Sequence, residues 1–181
     1  MKVFKELQRF NQWWLILFGL IIVIFIGLGF VSEYKDSGGN LSNDQLISMI
    51  ISGSLMIGVF LLIGFIRLKT KIDEKGITYQ FTPFHFAPRI IPWSDLSKCY
   101  IRKYSPITEY GGWGIRGLQR KGFWDFRNRG MAFNTRGDMG IQLVFKDGGK
   151  LLLGTQDPDK AKQTIRNYEG KMDQINSLDN Y

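Results

Sequence analysis

The chain has 181 residues and a formal net charge of +8, from 24 Lys+Arg against 16 Asp+Glu, with one Cys and one His. A lone cysteine excludes an intramolecular disulfide framework, and a lone histidine excludes centres built from several histidines. The length suggests one domain, yet the apolar residues are unevenly distributed along it.

Residues 1–12, MKVFKELQRFNQ, set Val3, Leu7, Phe10 and Trp14 at helical spacing with Lys2, Lys5 and Arg9 elsewhere. This pattern predicts an interfacial helical run-in. No charged side chain occurs from Trp13 to Val31, or from Leu46 to Ile66. Runs of about 20 residues at ~1.5 Å per residue span a hydrocarbon core of ~30 Å. Two transmembrane helices are therefore expected, at about 13–31 and 46–66. The first run is too long for a signal-peptide core and has no A-x-A-like site after it, the first alanine being Ala87. An uncleaved span is the expectation.

Charge predicts orientation. The connector SEYKDSGGNLSNDQ is acidic, whereas Lys2, Lys5 and Arg9 precede the first span and Arg67, Lys69 and Lys71 follow the second. The positive-inside rule then places both termini in the cytoplasm and the protein in the inner or plasma membrane as a multi-pass protein. Trp13 and Trp14 suit an interfacial aromatic belt. Small residues Ser54, Gly58 and Gly64 in the second span predict close packing, within the hairpin or against a partner helix. Residues 67–181 carry 20 Lys+Arg and 12 Asp+Glu, and are expected to form a cytoplasmic domain.

Past Ile66 the period changes to two. LKTKID, the turn DEKG and ITYQF predict a hairpin, with Gly76 at its left-handed position. Pro83, Pro88 and Pro92 restrict TPFHFAPRIIPW to an edge or interrupted strand. KCYIRKY, MAFNT, GIQLVF and KLLLGT continue the pattern, with Asp147-Gly148-Gly149 as the last hairpin turn. Asp157 is a fitting N-cap and Pro158 a first helical residue, and Ala161, Ile165, Tyr168 and Met172 share a face, which predicts a helix over about 158–172. About seven strands and one amphipathic helix imply a small antiparallel barrel or sandwich, capped by that helix. Cys99 is expected as a packed strand residue.

The order of two spans, about seven strands and a helix resembles small bacterial membrane proteins with a pleckstrin-homology-like domain. FKELQRF, YGGWGIRG and GIQLVFKDGGKLLLGTQDPDKA carry the resemblance, which covers nearly the whole chain. It implies a fold and no assigned activity. Phosphoinositide-binding pleckstrin-homology domains use basic residues around the first hairpin loop. Here that turn is DEKG, short and half acidic, so the site does not transfer.

Within 105–130, Gly112, Gly114 and Gly117 spell G-x-G-x-x-G, the dinucleotide fingerprint. That chemistry needs a strand before, a helix after and a distal acid. Asp138 has the spacing, but LQRKGFWDFRNRG has no helical period, and the kinase alternative lacks its companion motifs. Two readings stay open. Gly111, Gly112, Gly114 and Gly117 shape a loop that Trp113 fixes to the barrel, or the loop is a docking surface. Charge favours the surface: Arg116, Arg120, Lys121, Arg127, Arg129 and Arg136 face only Asp125, interleaved with Trp113, Phe123, Trp124 and Phe126. Such a composition suits anionic lipid headgroups, an acidic protein patch or single strands of nucleic acid, and the spans disfavour the last.

Catalytic groupings are sparse. His85 between Phe84 and Phe86 reads as a packed edge residue, and Arg136-Gly137-Asp138 as a turn. The expectation is a non-enzymatic interaction module without cofactor or metal. Its partners would be membrane lipids, a membrane protein or a second copy, and not nucleic acid. The alternative is an accessory subunit of a membrane complex in transport or envelope maintenance.

Overall fold

A computed structural model of the chain describes residues 3–10, 13–117, 130–168 and 170, apart from the side chain of Trp14. It divides into two units, Phe10–Phe65 and a second that joins the residues up to Arg9 with those from Ile66 onward.

The first unit is a pair of helices, α1 (Trp13–Asp36) and α2 (Asn43–Phe65). Both are long and apolar enough to cross a membrane, and none of the residues of α2 is buried. A core helix of a soluble protein would hide such a surface. Both helices run past their apolar stretches into the polar connector. A capping box closes α2, with Gln45 N–H donating to Ser42 Oγ at 3.3 Å and Ser42 N–H to Gln45 Oε1 at 2.8 Å. Within this unit a Cβ on Gly19 would overlap the Phe60 ring, whereas one on Gly58 or Gly64 would meet nothing within 4 Å. Gly19 is thus a place where the two helices come close, and the expected Gly58 and Gly64 are not.

The second unit begins with a difference from expectation. Phe4–Arg9 form a strand, β1, in place of an interfacial helix. It pairs antiparallel with β2 (Arg67–Asp73), and β3 (Gly76–Thr82) and β4 (Arg89–Pro92) complete a four-stranded sheet in the order β1-β2-β3-β4. FKELQR has helical spacing and no hydrophobic alternation of period two. Pairing with β2 and the buried hydrogen bonds of Gln8 give the strand contacts that a helix standing apart from the sheet would not make, so tertiary context decides.

A second sheet holds β5 (Leu96–Lys103), β6 (Gly114–Arg116), β7 (Met131–Asn134), β8 (Met139–Phe145) and β9 (Lys150–Gly154), in the order β5-β8-β9-β7-β6. Among the described residues there are nine strands where seven were expected, β1 and the short β6 being the additions. The sheets do not close into a barrel, and β7 runs parallel to β9. A short helix, α3 (Pro106–Tyr110), precedes β6, and α4 (Pro158–Arg166) follows β9.

The core lies between the sheets. Phe4, Leu68, Ile72, Ile77 and Phe81 of the first meet Leu96, Phe133, Ile141, Leu143 and Leu153 of the second. Ala161 and Ile165 of α4 join the same cluster, and Tyr168 stacks on Trp93 with ring centroids 5.6 Å apart. Asp157 caps α4 as expected, accepting from Lys160 N–H. The helix ends at Arg166, and Met172 lies outside the described residues. Cys99 is buried in this core and in no disulfide, as expected of a packed strand residue.

Candidate functional site

The glycine-rich stretch follows from local backbone demands. Ser105 caps α3, accepting from Thr108 N–H at 3.4 Å, and Gly111 ends that helix in the left-handed conformation at φ 71°. Arg102 holds α3 on the second sheet, donating to Glu109 at 2.8 Å and to Gln142 at 2.9 Å. Trp113 is half-buried, and its indole N–H donates to the Gly137 carbonyl at 3.1 Å. Gly114 N–H donates to the Asn134 side chain at 2.8 Å as β6 pairs with β7. Gly112 and Gly114 also take positive φ. At Gly117 the demand is strictest, because φ is 83° and a Cβ would collide with the Gly130 carbonyl.

A five-residue helix therefore precedes the glycines and the strand β6 runs among them from Gly114 to Arg116, whereas a dinucleotide loop has a strand before its glycines. Trp113 fixes the stretch to its neighbour. Arg116 is exposed and donates to the Trp113 carbonyl at 2.9 Å. Arg120, Lys121, Arg127 and Arg129, with the aromatics between them, lie outside the described residues. The chain leaves for them at Gly117 and returns at Gly130, on the β6 edge of the second sheet. Arg136 is engaged with Gln156, the two residues exchanging hydrogen bonds of 2.9 Å.

A second basic surface was not visible in the sequence, because it depends on β1. Alternation turns Phe4, Glu6 and Gln8 inward and Lys5, Leu7 and Arg9 outward. The register sets Lys5 opposite Lys71, Leu7 opposite Lys69 and Arg9 opposite Arg67. The inward polar groups stitch the strand down: Gln8 donates to the Gly154 carbonyl at 2.6 Å and accepts from Thr135 at 2.9 Å, while Glu6 accepts from Thr155 at 2.8 Å. Outside, a groove of about 390 Å³ runs between Lys5, Leu7, Lys69, Lys71, Gln80 and Pro88. Lys71 also contacts Asp73 at 2.5 Å, which holds that carboxyl below its usual range. Period-two placement of like charges in RLKTK, with Lys5 and Arg9 four apart in KELQR, was the available signal.

Beside the groove, the β3–β4 connection exposes Phe86 almost completely, at 99%, and Phe84 at 44%. Between them His85 points inward. Its Nδ1 accepts from Phe81 N–H at 3.2 Å, and its ring meets Tyr79 and Phe133 edge-on. Burial, with a smaller contribution from Arg89, lowers its pKa to about 4. His85 is thus a neutral packed residue, as its aromatic neighbours suggested. Among the described residues no three His, Cys, Asp or Glu side chains come together. Comparison with protein-family models, curated proteins and solved structures finds no match.

Proposed function

We propose that the chain is a two-span protein of the bacterial inner membrane, displaying a non-enzymatic interaction module at the cytoplasmic face. We read the two-sheet unit as a variant of the pleckstrin-homology-like fold, with its first strand supplied from before the helices. The module recognises anionic lipid headgroups or a membrane partner, using Trp113, Arg116, Arg120, Lys121, Arg127 and Arg129. The observation that carries this reading is the pairing of Arg9 with Arg67. The chain leaves the module and returns to it at adjacent positions, so the intervening helices cross an even number of times and both flanks share one side. The cations on those flanks, against an acidic connector, make that side cytoplasmic. Each Lys or Arg close to an anionic surface adds about 1 kcal/mol of attraction.

The test uses the full chain in detergent, with native mass spectrometry counting retained phosphatidylglycerol against phosphatidylcholine. A preference for the anionic lipid that drops when Arg120, Lys121, Arg127 and Arg129 become Gln supports the loop as a lipid dock. Equal retention of both lipids in every variant rules that out. A stoichiometric co-purifying protein favours the accessory-subunit reading. For that reading Ser54, Gly58 and Gly64 matter, being exposed on α2.

A further inference from the structure

We infer that the outward face of the β1–β4 sheet is a separate dock for anionic phospholipid, in which Lys5, Lys69 and Lys71 take the headgroup phosphate and Phe86 enters the bilayer interface. The inference rests on the reading that α1 and α2 cross a membrane.

Three observations converge on it. The first is electrostatic. Lys5 faces Lys71 and Arg9 faces Arg67 directly across a strand pair. Like charges placed opposite one another are destabilising in a sheet, so an anion bound between them would relieve that cost. Lysines on an exposed edge also discourage edge-to-edge pairing. That role could account for Lys5 on the edge strand, but Lys69 and Lys71 sit on β2, which has a neighbour on each side. Asp73 neutralises only one of the three lysines.

The second is shape. The groove of about 390 Å³ is lined by Leu7 and Pro88 together with Lys5, Lys69 and Lys71. Small-ligand sites combine apolar walls with a few charged groups in this way, at volumes of roughly 300–1,000 Å³. A phospholipid headgroup with its glycerol presents the matching sequence of anion and apolar stem.

The third is position. Arg9 pairs with Arg67, and Arg67 with Thr82. The β3–β4 connection therefore starts from the same end of the sheet at which the chain passes to α1 and returns from α2. One residue, Ile66, separates α2 from β2, and three separate β1 from α1. Three extended residues reach at most ~11 Å, so short linkers tether this end of the sheet to the two segments read as crossing the membrane. Phe86 is there, and it is not exposed through looseness. Gln80 Nε2 donates to the His85 carbonyl at 3.1 Å, and His85 N–H to the Phe81 carbonyl at 2.8 Å. Buried His85 anchors the loop while its two phenylalanine neighbours point elsewhere. A fully exposed, well-held aromatic next to cations is the pairing expected of an interfacial anchor.

The experiment uses the full chain in nanodiscs containing phosphatidylglycerol. A nitroxide is attached at Phe86→Cys in a Cys99→Ala background, and its accessibility to oxygen is compared with that to a water-soluble nickel chelate. Preferential oxygen access supports the proposal, and water-like accessibility overturns it. In parallel, Lys5→Gln/Lys69→Gln/Lys71→Gln should lower the preference for phosphatidylglycerol over phosphatidylcholine about tenfold or more, with the strand signal in circular dichroism retained. Glutamine at Arg120, Lys121, Arg127 and Arg129 should leave the spin-label depth unchanged. A lipid preference insensitive to the lysine variant but abolished by the loop variant overturns this dock and leaves the loop reading standing. Cross-linking of position 86 to a protein in place of lipid also overturns it. Helices that fail to insert would appear separately, as a connector not reachable from outside the cell.

Discussion

At the scale of single residues, glycines that look alike in the sequence have opposite demands. Gly117 takes φ 83° against the Gly130 carbonyl, while Gly58 sits in a helix with nothing within 4 Å of its absent Cβ. Gly117→Ala is expected to lower stability by about 1–3 kcal/mol through strain and collision. Gly58→Ala should leave stability unchanged or slightly raised, since alanine is favoured over glycine in helices. Thermal unfolding of the two variants in detergent checks this, and equal midpoints would contradict it. His85 supplies a pH dependence. The unfolded imidazole takes its proton near pH 6.5, but the folded one only near 4. Between those values the unfolded chain binds more protons, so stability falls as pH drops through this window; above 6.5 His85 makes no difference. Melting temperatures between pH 6.5 and 5 should therefore decline, and His85→Gln, which keeps an acceptor for Phe81 N–H, should flatten the slope.

At the scale of elements, β1 is the part of the molecule that sequence reasoning assigned to the wrong structure. Its inward residues are Phe4, Glu6 and Gln8, so no hydrophobic alternation marks it as a strand. The two polar members are satisfied by Thr135, Gly154, Thr155 and Gln156, 127 to 150 positions away in the chain. A fragment beginning at residue 67 would lack this strand. It would leave Thr135 and Gly154 without those partners and bare the edge of β2. By contrast, joining Arg9 to Arg67 through Asn-Gly, a turn suited to antiparallel strands, should yield a soluble, monomeric domain. Circular dichroism and size-exclusion chromatography of the two proteins are the comparison. A fragment without β1 that is as well folded as the fused one would show that the strand is dispensable. The other elements were more legible. Asp157-Pro158 marked the start of α4, and the prolines of TPFHFAPRIIP limited β4 to the four residues Arg89–Pro92 at a sheet edge.

At the scale of the whole molecule, the pairing of β1 with β2 ties the two ends of the helical unit to one sheet. If both helices cross, the connector at 37–42 and the sheets lie on opposite sides of the membrane. In intact cells Asn40→Cys should react with a membrane-impermeant maleimide, and Lys98→Cys only after permeabilisation, both in a Cys99→Ala background. The reverse pattern would invert the orientation, and equal reactivity in intact cells would exclude a spanning hairpin. The sequence by itself determined the two apolar helices, the turn positions and the capped final helix. Those features depend on composition and on contacts a few residues apart. It also predicted that the glycines of GGWGIRG open no helix, a reading whose following residues lie outside the described ones. Only the tertiary structure decided that Phe4–Arg9 is a strand, that Trp113 is tied to Gly137, and that Lys5, Lys69 and Lys71 share one face. Each of these depends on partners brought together across long stretches of chain, and local pattern carries no record of which distant edge a segment will meet.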